Sequence, residues 1–393
     1  MKVAGLFAGI GGLELGFSAA GHETLMLCEL WEPARAVLAS RYAGVPCAPD
    51  IARLVDLPND TEVIVAGFPC QDLSQAGMTA GIDGRRSGLV GHVFRLLDQR
   101  PVPWVVLENV SFMLHLDRGK GLRRLVEAFE ERGYRWAYRV VNSLGFLPQR
   151  RERVLFVATN TDADPADVLF VDDVVAPQPN TALSTHAHGF YWTEGVRGLG
   201  WAPDAIPTLK NGSTLGIASP PAILLPDGDV ITPDIRDAER LQGFEPGWTA
   251  PAEAVGRPSL RWSLIGNAVT VPVAQWLGSR LTAPGCYEYD RDREQLLDGR
   301  WPRAARYDGE RRHRVEIGAF PIFQERPPLA EFLRYRGKLL SARATRGFLS
   351  RTGRSTLRFV PGFRDRLSDH LLRMERGIER AVGSIEPLVA AAE

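Results

Sequence analysis

Cysteine is scarce in this chain of 393 residues: Cys28, Cys47, Cys70 and Cys286 are all there is. Four scattered thiols make no disulfide framework, and no two of them form a CxxC pair, so neither a disulfide scaffold nor a structural zinc is expected. Long apolar runs are missing as well. No stretch approaches the roughly 18 consecutive apolar residues of a membrane span, so no membrane partner is expected. The N-terminus passes at once into the strand-like run Met1–Phe7, without the basic region, apolar core and cleavage site of a secretory leader. The cytoplasm is therefore the expected location. Net charge is absent too, with 47 basic residues against 47 acidic ones. What is present is an ordinary globular balance, 45% hydrophobic and 24% charged, which excludes a disordered chain. The length suffices for two or three domains.

The zero net charge hides an asymmetry. From Leu333 to Arg366 there are ten Lys or Arg and one acid, Asp365, a net +9 that leaves −9 for the rest of the chain. Either this is a solvated basic surface, or it faces a polyanionic partner.

Along the first 160 residues, short β-rich runs alternate with helical segments. Val3–Phe7, Thr24–Glu29, Val63–Ala66, Val105–Leu107, Tyr138–Val141 and Val154–Ala158 read as strands. Helices are expected over Gly12–Ala20, Pro33–Arg41, Leu89–Gln99 and Leu122–Arg132. Such alternation predicts an α/β fold, doubly wound around a mostly parallel sheet, with ligands at the C-terminal strand ends. Proline and glycine then become frequent and helical periodicity is lost. The expected division is a catalytic and cofactor-binding domain over 1–159, a small irregular or β module over 160–234, a return to the first domain over 235–281, and a C-terminal extension over 282–393 holding the basic segment 333–366.

Phe7-Ala-Gly9-Ile10-Gly11-Gly12 follows the first strand and opens the first helix. Glycines there let the backbone turn sharply and approach a ligand beside a helix N-terminus. The dinucleotide fingerprint would need a third glycine where Glu14 stands, which counts against a diphosphate. Glu29, at the end of the second strand, suits ribose hydroxyls, and Asp50 suits an adenine amine. One sugar, one adenine and no phosphate cradle point to S-adenosylmethionine, the alternative being a glycine-rich turn with no ligand.

Cys70 lies in Gly67-Phe-Pro69-Cys70-Gln71, just past an apolar strand and stiffened by the preceding proline. It reads as a nucleophile or as a buried structural thiol. A nucleophilic thiol needs electropositive help, for which the arginines of Gln149-Arg-Arg-Glu-Arg153 are candidates. The segment after it, with Gly77, Gly81, Gly84, Gly88 and Gly91 and with Arg85 and Arg86 at its tip, reads as a lid over a polyanion or as an idle loop. Glu108, at the end of Trp104–Leu107, is costly there unless it binds something, caps a helix or pairs with a cation.

Taken together, FAGIGG at 7–12, the acid at 29, PCQ at 69–71, ENV at 108–110, QRRER at 149–153, RLQGF at 240–244 and GNAV at 266–269 resemble, in order, the C5 cytosine DNA methyltransferase family of bacterial type over about residues 1–281. The resemblance implies a Rossmann-like S-adenosylmethionine-dependent fold with a target-recognition module. It implies that Cys70 attacks C6 of a cytosine flipped out of duplex DNA, that Glu108 contacts N3 and the exocyclic amine, and that Arg153, with Arg151 beside it, holds the O2 side. Phe7, Gly9, Ile10, Gly11, Gly12, Glu29, Trp31, Asp50 and Asn267 would line the cofactor site, and Gln71, Ser74, Arg86 and Arg240 would serve DNA. Family members often carry an aromatic directly after the ribose acid, whereas here Leu30 stands there and Trp31 follows.

The recognition module has only about 45 variable residues. Base contacts are expected from within it, at Tyr191, Trp192, Arg197 and Lys210. His186 and His188 lack a cysteine or carboxylate at ligand spacing and are read as solvated, so no metal is expected. The short module suggests that the basic extension supplements DNA contact. The resemblance leaves open whether a restriction endonuclease, a phage-defence system or no partner accompanies a chain expected to be monomeric. Three rivals remain. A transfer-RNA methyltransferase would typically read PPCQ where Phe68-Pro-Cys-Gln71 stands, and carry a CFT signature. A non-catalytic DNA-binding homologue would be expected to lose Cys70, Glu108 or the arginines. A nicotinamide oxidoreductase would need the glycine that Glu14 replaces.

Overall fold

A computed structural model of the chain describes residues 1–68, 88–196, 200–212, 218–294 and 301–377. They belong to two compact units. The first comprises 1–145, 152–176 and 268–323; the second comprises 146–151, 177–267 and the residues from 324 onward. Cys70, Gln71, Ser74, Arg86 and Arg197 lie outside the described residues.

The chain opens with β1 (Lys2–Leu6), α1 (Gly12–Ala19), β2 (Glu23–Cys28), α2 (Glu32–Arg41), β3 (Cys47–Ala48) and β4 (Val63–Ala66). It continues through α3 (Leu89–Gln99), β5 (Trp104–Val110), α4 (Lys120–Glu130) and β6 (Arg135–Asn142). The next strand, β7 (Gln149–Arg150), belongs to the second unit, and β8 (Glu152–Thr159) and the short α5 (Ala166–Leu169) return to the first. The second unit resumes with β9 (His188–Phe190), β10 (Ala202–Pro203), β11 (Ile206–Pro207), β12 (Ala222–Leu224), β13 (Val230–Thr232), α6 (Ile235–Arg240) and α7 (Leu260–Asn267). Then α8 (Val271–Thr282), β14 (Asp292–Glu294), β15 (Ala304–Tyr307) and β16 (Arg312–Val315) complete the first unit. The second ends with α9 (Leu329–Phe332), β17 (Lys338–Leu339), α10 (Ala342–Arg354) and α11 (Phe363–Glu375). Among the described residues, no helix is long and apolar enough to cross a membrane.

The first unit is built on a sheet of order β14-β16-β15-β6-β8-β5-β4-β1-β2-β3. Strands β3, β2, β1, β4 and β5 run parallel, and β8, β6, β15, β16 and β14 continue the sheet in antiparallel pairs. The α/β class read from the sequence holds. Near-continuous apolar runs such as Val63–Ala66 and Trp104–Leu107 are buried on both faces, as helix-covered parallel strands must be. Parallel pairing also brings the loops after β1, β2, β3 and β4 to one edge of the sheet.

Two boundaries differ from the sequence reading. The extension 282–393 is not one separate tail: 292–315 supplies β14–β16 to the large sheet, whereas 324–377 joins the second unit. Residues 235–267 also belong to the second unit rather than returning to the first. The reason is burial. The second sheet, β10-β9-β12-β13-β17, has strands of two or three residues and cannot cover a core alone. Leu340, Phe348, Phe363 and Leu367 close that core against Phe190, Ala222, Leu224 and Val230. The same packing revises His188: it is fully buried, stacked on Trp201 at 5.5 Å, and burial pushes its pKa down to about 4.

Candidate active site at the strand ends

The glycine loop after β1 is held in a shape that few residues allow. Phe7, Gly9 and Gly11 adopt φ values of +54°, +56° and +83°. A non-glycine residue at positive φ stores strain, a feature that gathers at ligand loops. Gly11 is required twice over, because a Cβ there would also strike the ring of Tyr42. The Tyr42 hydroxyl donates to the Gly11 carbonyl at 2.7 Å and ties the loop to the end of α2. Nothing in the sequence pattern marked Tyr42 for this role. Ile10 is buried beneath the loop, and Gly12 opens α1.

Glu29 organises the turn after β2. Its two carboxylate oxygens accept the backbone N–H groups of Gly9 and Trp31, each at 2.7 Å, joining the β1 and β2 loops through one side chain. The carboxylate is fixed in place yet half-buried, so its outward lone pairs suit a vicinal diol such as ribose. Leu30 is 68% exposed, whereas Trp31 is half-buried at the N-cap of α2. Of the two, Trp31 is the one held against the protein. Asp50 follows β3 and accepts from the Ala52 N–H at 2.9 Å. Phe7, Gly9, Ile10, Gly11, Gly12, Glu29, Trp31 and Asp50 thus all occupy the strand-end loops of the first unit. Asn267 is exposed at the end of α7, in the second unit.

Glu14, singled out for breaking a dinucleotide fingerprint, turns inward. It is fully buried, no hydrogen bond from the described residues reaches either carboxylate oxygen, and a Cβ on Gly5 would collide with it. Thus the close approach of helix to strand is made by the glycine of β1 facing an acid of α1. Burial is the main cause that pushes the Glu14 pKa up to about 8, and the nearby Glu29 adds to it. Relative to its ordinary value of 4.5, the folded chain retains a proton that the unfolded chain releases. Stability from this group is complete below pH 4.5 and is lost as the pH rises toward 8. The loss is about 3 kcal/mol by pH 7. Glu14→Gln is therefore expected to match the parent near pH 4 and to exceed it increasingly up to pH 8. Urea midpoints across that range check this, and parallel curves would refute it.

At the end of β4, Gly67 and Phe68 lead into Pro69-Cys70, and two side chains of β5 meet them. Asn109 donates to the Phe68 carbonyl at 3.0 Å, and a Cβ on Gly67 would lie 3.7 Å from Oε2 of Glu108. Glu108 itself is 7% exposed. Its partner across the ladder is Leu155, which places Arg153 diagonally on the same face. The Arg153 guanidinium lies 3.0 Å from Oε1 of Glu108. This pair answers the cost of an acid at a buried strand end: two charges share the burial.

Arg151 makes backbone contacts of its own. Fully buried, it donates to the backbone carbonyls of Leu209 at 3.0 Å and Gly266 at 3.3 Å, all within the second unit. Gln149 does similar work, donating to the Leu241 carbonyl and accepting from the Leu209 N–H. Alternation along the strand sends 149 and 151 inward, where both brace the backbone of the second unit. Arg240 pairs with buried Asp237 at 2.8 Å, donates to the Phe332 carbonyl and lies over the Phe332 ring. Of the expected base-reading residues, Tyr191 is buried, Trp192 donates to the Pro220 carbonyl, and Lys210 pairs with Glu194 over the Tyr191 ring. All three make contacts within the second unit.

Comparison with known proteins accords with this arrangement. Residues 1–193 match the model of the C-5 cytosine-specific DNA methylase family. The chain is 45% identical to the type II methyltransferase M2.BsuMI of Bacillus subtilis (strain 168) over 370 residues, 91% of this chain and 94% of that one. It is 31% identical to the type II methyltransferase M.AplI of Arthrospira platensis, covering 68% of this chain and 82% of that protein. The crystal structure of the S. pombe Dnmt2 methyltransferase shares the fold, with a TM-score of 0.51 at 15% identity over 72% of this chain and 98% of the other. The chain belongs to the C-5 cytosine-specific DNA methylase family.

Proposed function

We propose that the protein methylates C5 of a cytosine flipped out of a specific double-stranded DNA sequence, through a transient bond between Cys70 and C6. The observation that supports this most is the Glu108–Arg153 pair, set at a strand end beside the segment that leads to Cys70. A carboxyl and a guanidinium 3.0 Å apart match the edge of cytosine, where N3 and the amine lie next to O2. The two charges compensate each other before substrate arrives, and each gains a base atom when it does.

The loops after β1, β2 and β3 suit S-adenosylmethionine: Glu29 for the ribose hydroxyls, Asp50 for the adenine amine, the glycine backbone for the rest. When bound there, the cofactor supplies an electrophilic methyl group on a sulfonium. The remaining chemistry belongs to the chain. The Cys70 thiolate adds to C6, the C5–C6 π electrons move to C5, and C5 becomes nucleophilic. A proton held between Glu108 and N3 offsets the charge that builds on the ring, while Arg153 holds O2. After C5 has gained its methyl group, loss of its hydrogen as a proton restores the double bond and expels the thiolate. C5 and C6 are shielded within a duplex, so the base leaves the stack first. A cognate restriction endonuclease is the companion this reading expects.

Incubating the protein with labelled S-adenosylmethionine and either duplex DNA or transfer RNA tests the reading. Label in 5-methylcytosine of duplex DNA is expected. Label in transfer RNA instead, or in neither, would overturn it.

A further inference from the structure

The basic segment is half core and half surface. Within α10, Thr345, Phe348 and Thr352 face inward, whereas Arg343, Arg346 and Arg354 lie exposed at spacings that put them on the opposite stripe. That helix has four arginines and no acid. Arg346 pairs with Glu375, and Arg351 is spent on the Trp192 carbonyl. Arg334, Arg336, Lys338, Arg343, Arg354 and Arg358 are exposed, and among the described residues no ion pair or hydrogen bond reaches their side-chain nitrogens, the bonds of Asp237 to Arg334 and of Thr232 to Lys338 being to backbone. Elsewhere in the chain, arginines such as Arg139, Arg261, Arg306 and Arg312 are satisfied by acids.

Helix stability accounts for only part of this charge. Arg354 sits in the last turn of α10, where the helix dipole favours a cation. Arg343 sits in the first turn, where the dipole disfavours one, and no acid of that turn relieves it. A cation kept against the dipole is explained by an anion from outside. From Arg343 to Arg354 the stripe runs about 16 Å, enough to meet several successive phosphates of one strand.

We propose that the exposed cations between Arg334 and Arg358 form a strip that grips the sugar-phosphate backbone of the duplex on which the protein acts. This rests on the DNA methyltransferase reading above and adds to it a contact surface outside the base-flipping pocket. The strip supplies affinity without reading sequence, because phosphates are the same at every site.

The test measures the affinity of the full-length protein for a duplex that the parent methylates, between 50 and 250 mM salt, by fluorescence anisotropy. Replacing Arg343, Arg354 and Arg358 together with glutamine is expected to reduce the slope of log K against log salt by about 0.9 for each lost phosphate contact, so by roughly 1 to 3. Cofactor affinity and the unfolding midpoint should stay at parental values. Lysine at the same three positions should keep the slope, since point charges suffice for phosphate. A parental slope in the glutamine variant overturns the strip and leaves the methyltransferase reading standing, as does a lost slope in the lysine variant. A parent that neither binds nor methylates any duplex overturns the methyltransferase reading, and the strip with it.

Discussion

Cys70→Ala is expected to abolish methyl transfer while leaving the affinities for DNA and S-adenosylmethionine intact. C5 of cytosine lacks the electron density to take up a methyl group unaided, and on the proposed route the thiolate provides it by opening the C5–C6 double bond. Turnover should fall on the order of 10⁴-fold or more, as it does when a covalent nucleophile is removed and only binding and polarisation remain. A 5-fluorocytosine in the target gives a sharper readout. After addition and methylation, C5 then carries fluorine, which cannot leave as a proton does, so the parent should remain covalently joined to DNA. The alanine variant should form no adduct. Residual turnover near the parental level, or an adduct that survives the substitution, would contradict the covalent route.

Much of this site was legible in the sequence because its residues sit where backbone geometry is most constrained. Gly9 and Gly11 occupy positive φ, Glu29 follows the last residue of β2, and Glu108 lies near the end of β5. Those are places where glycine and acid leave a visible pattern. Arg151 and Arg153 show that sequence proximity does not give direction: the two fall in different units, one donating to carbonyls and the other facing a carboxylate. Tyr42 could not be found at all, since it works through the shape of a neighbour, Gly11, rather than through a motif. The internal face of Glu14 was equally hidden. A helix position reads as polar from its letter alone, and only Gly5 on β1 makes room for it there.

The C-terminal region shows the same limit at the scale of a whole domain. Its charge was conspicuous, and its charge suggested a surface. Yet Phe348 is fully buried, stacked on Phe190 with ring centroids 4.3 Å apart, and Phe363 meets Phe190 edge-on at 5.6 Å. Strands of two or three residues have too little apolar area to hold a fold, so these aromatics from α10 and α11 are what close the second unit. Phe348→Ala removes most of a ring from a packed core and should cost about 3 to 5 kcal/mol. The loss should appear as a lower midpoint for a separate unfolding step of the second unit, with DNA affinity lost at temperatures where cofactor binding by the first unit persists. Leu357→Ala, 39% exposed in the same segment, should change the midpoint little. If both substitutions proved equally mild, residues 338–375 would be an appendage after all, and the core of the second unit would have to stand on residues 177–267 alone.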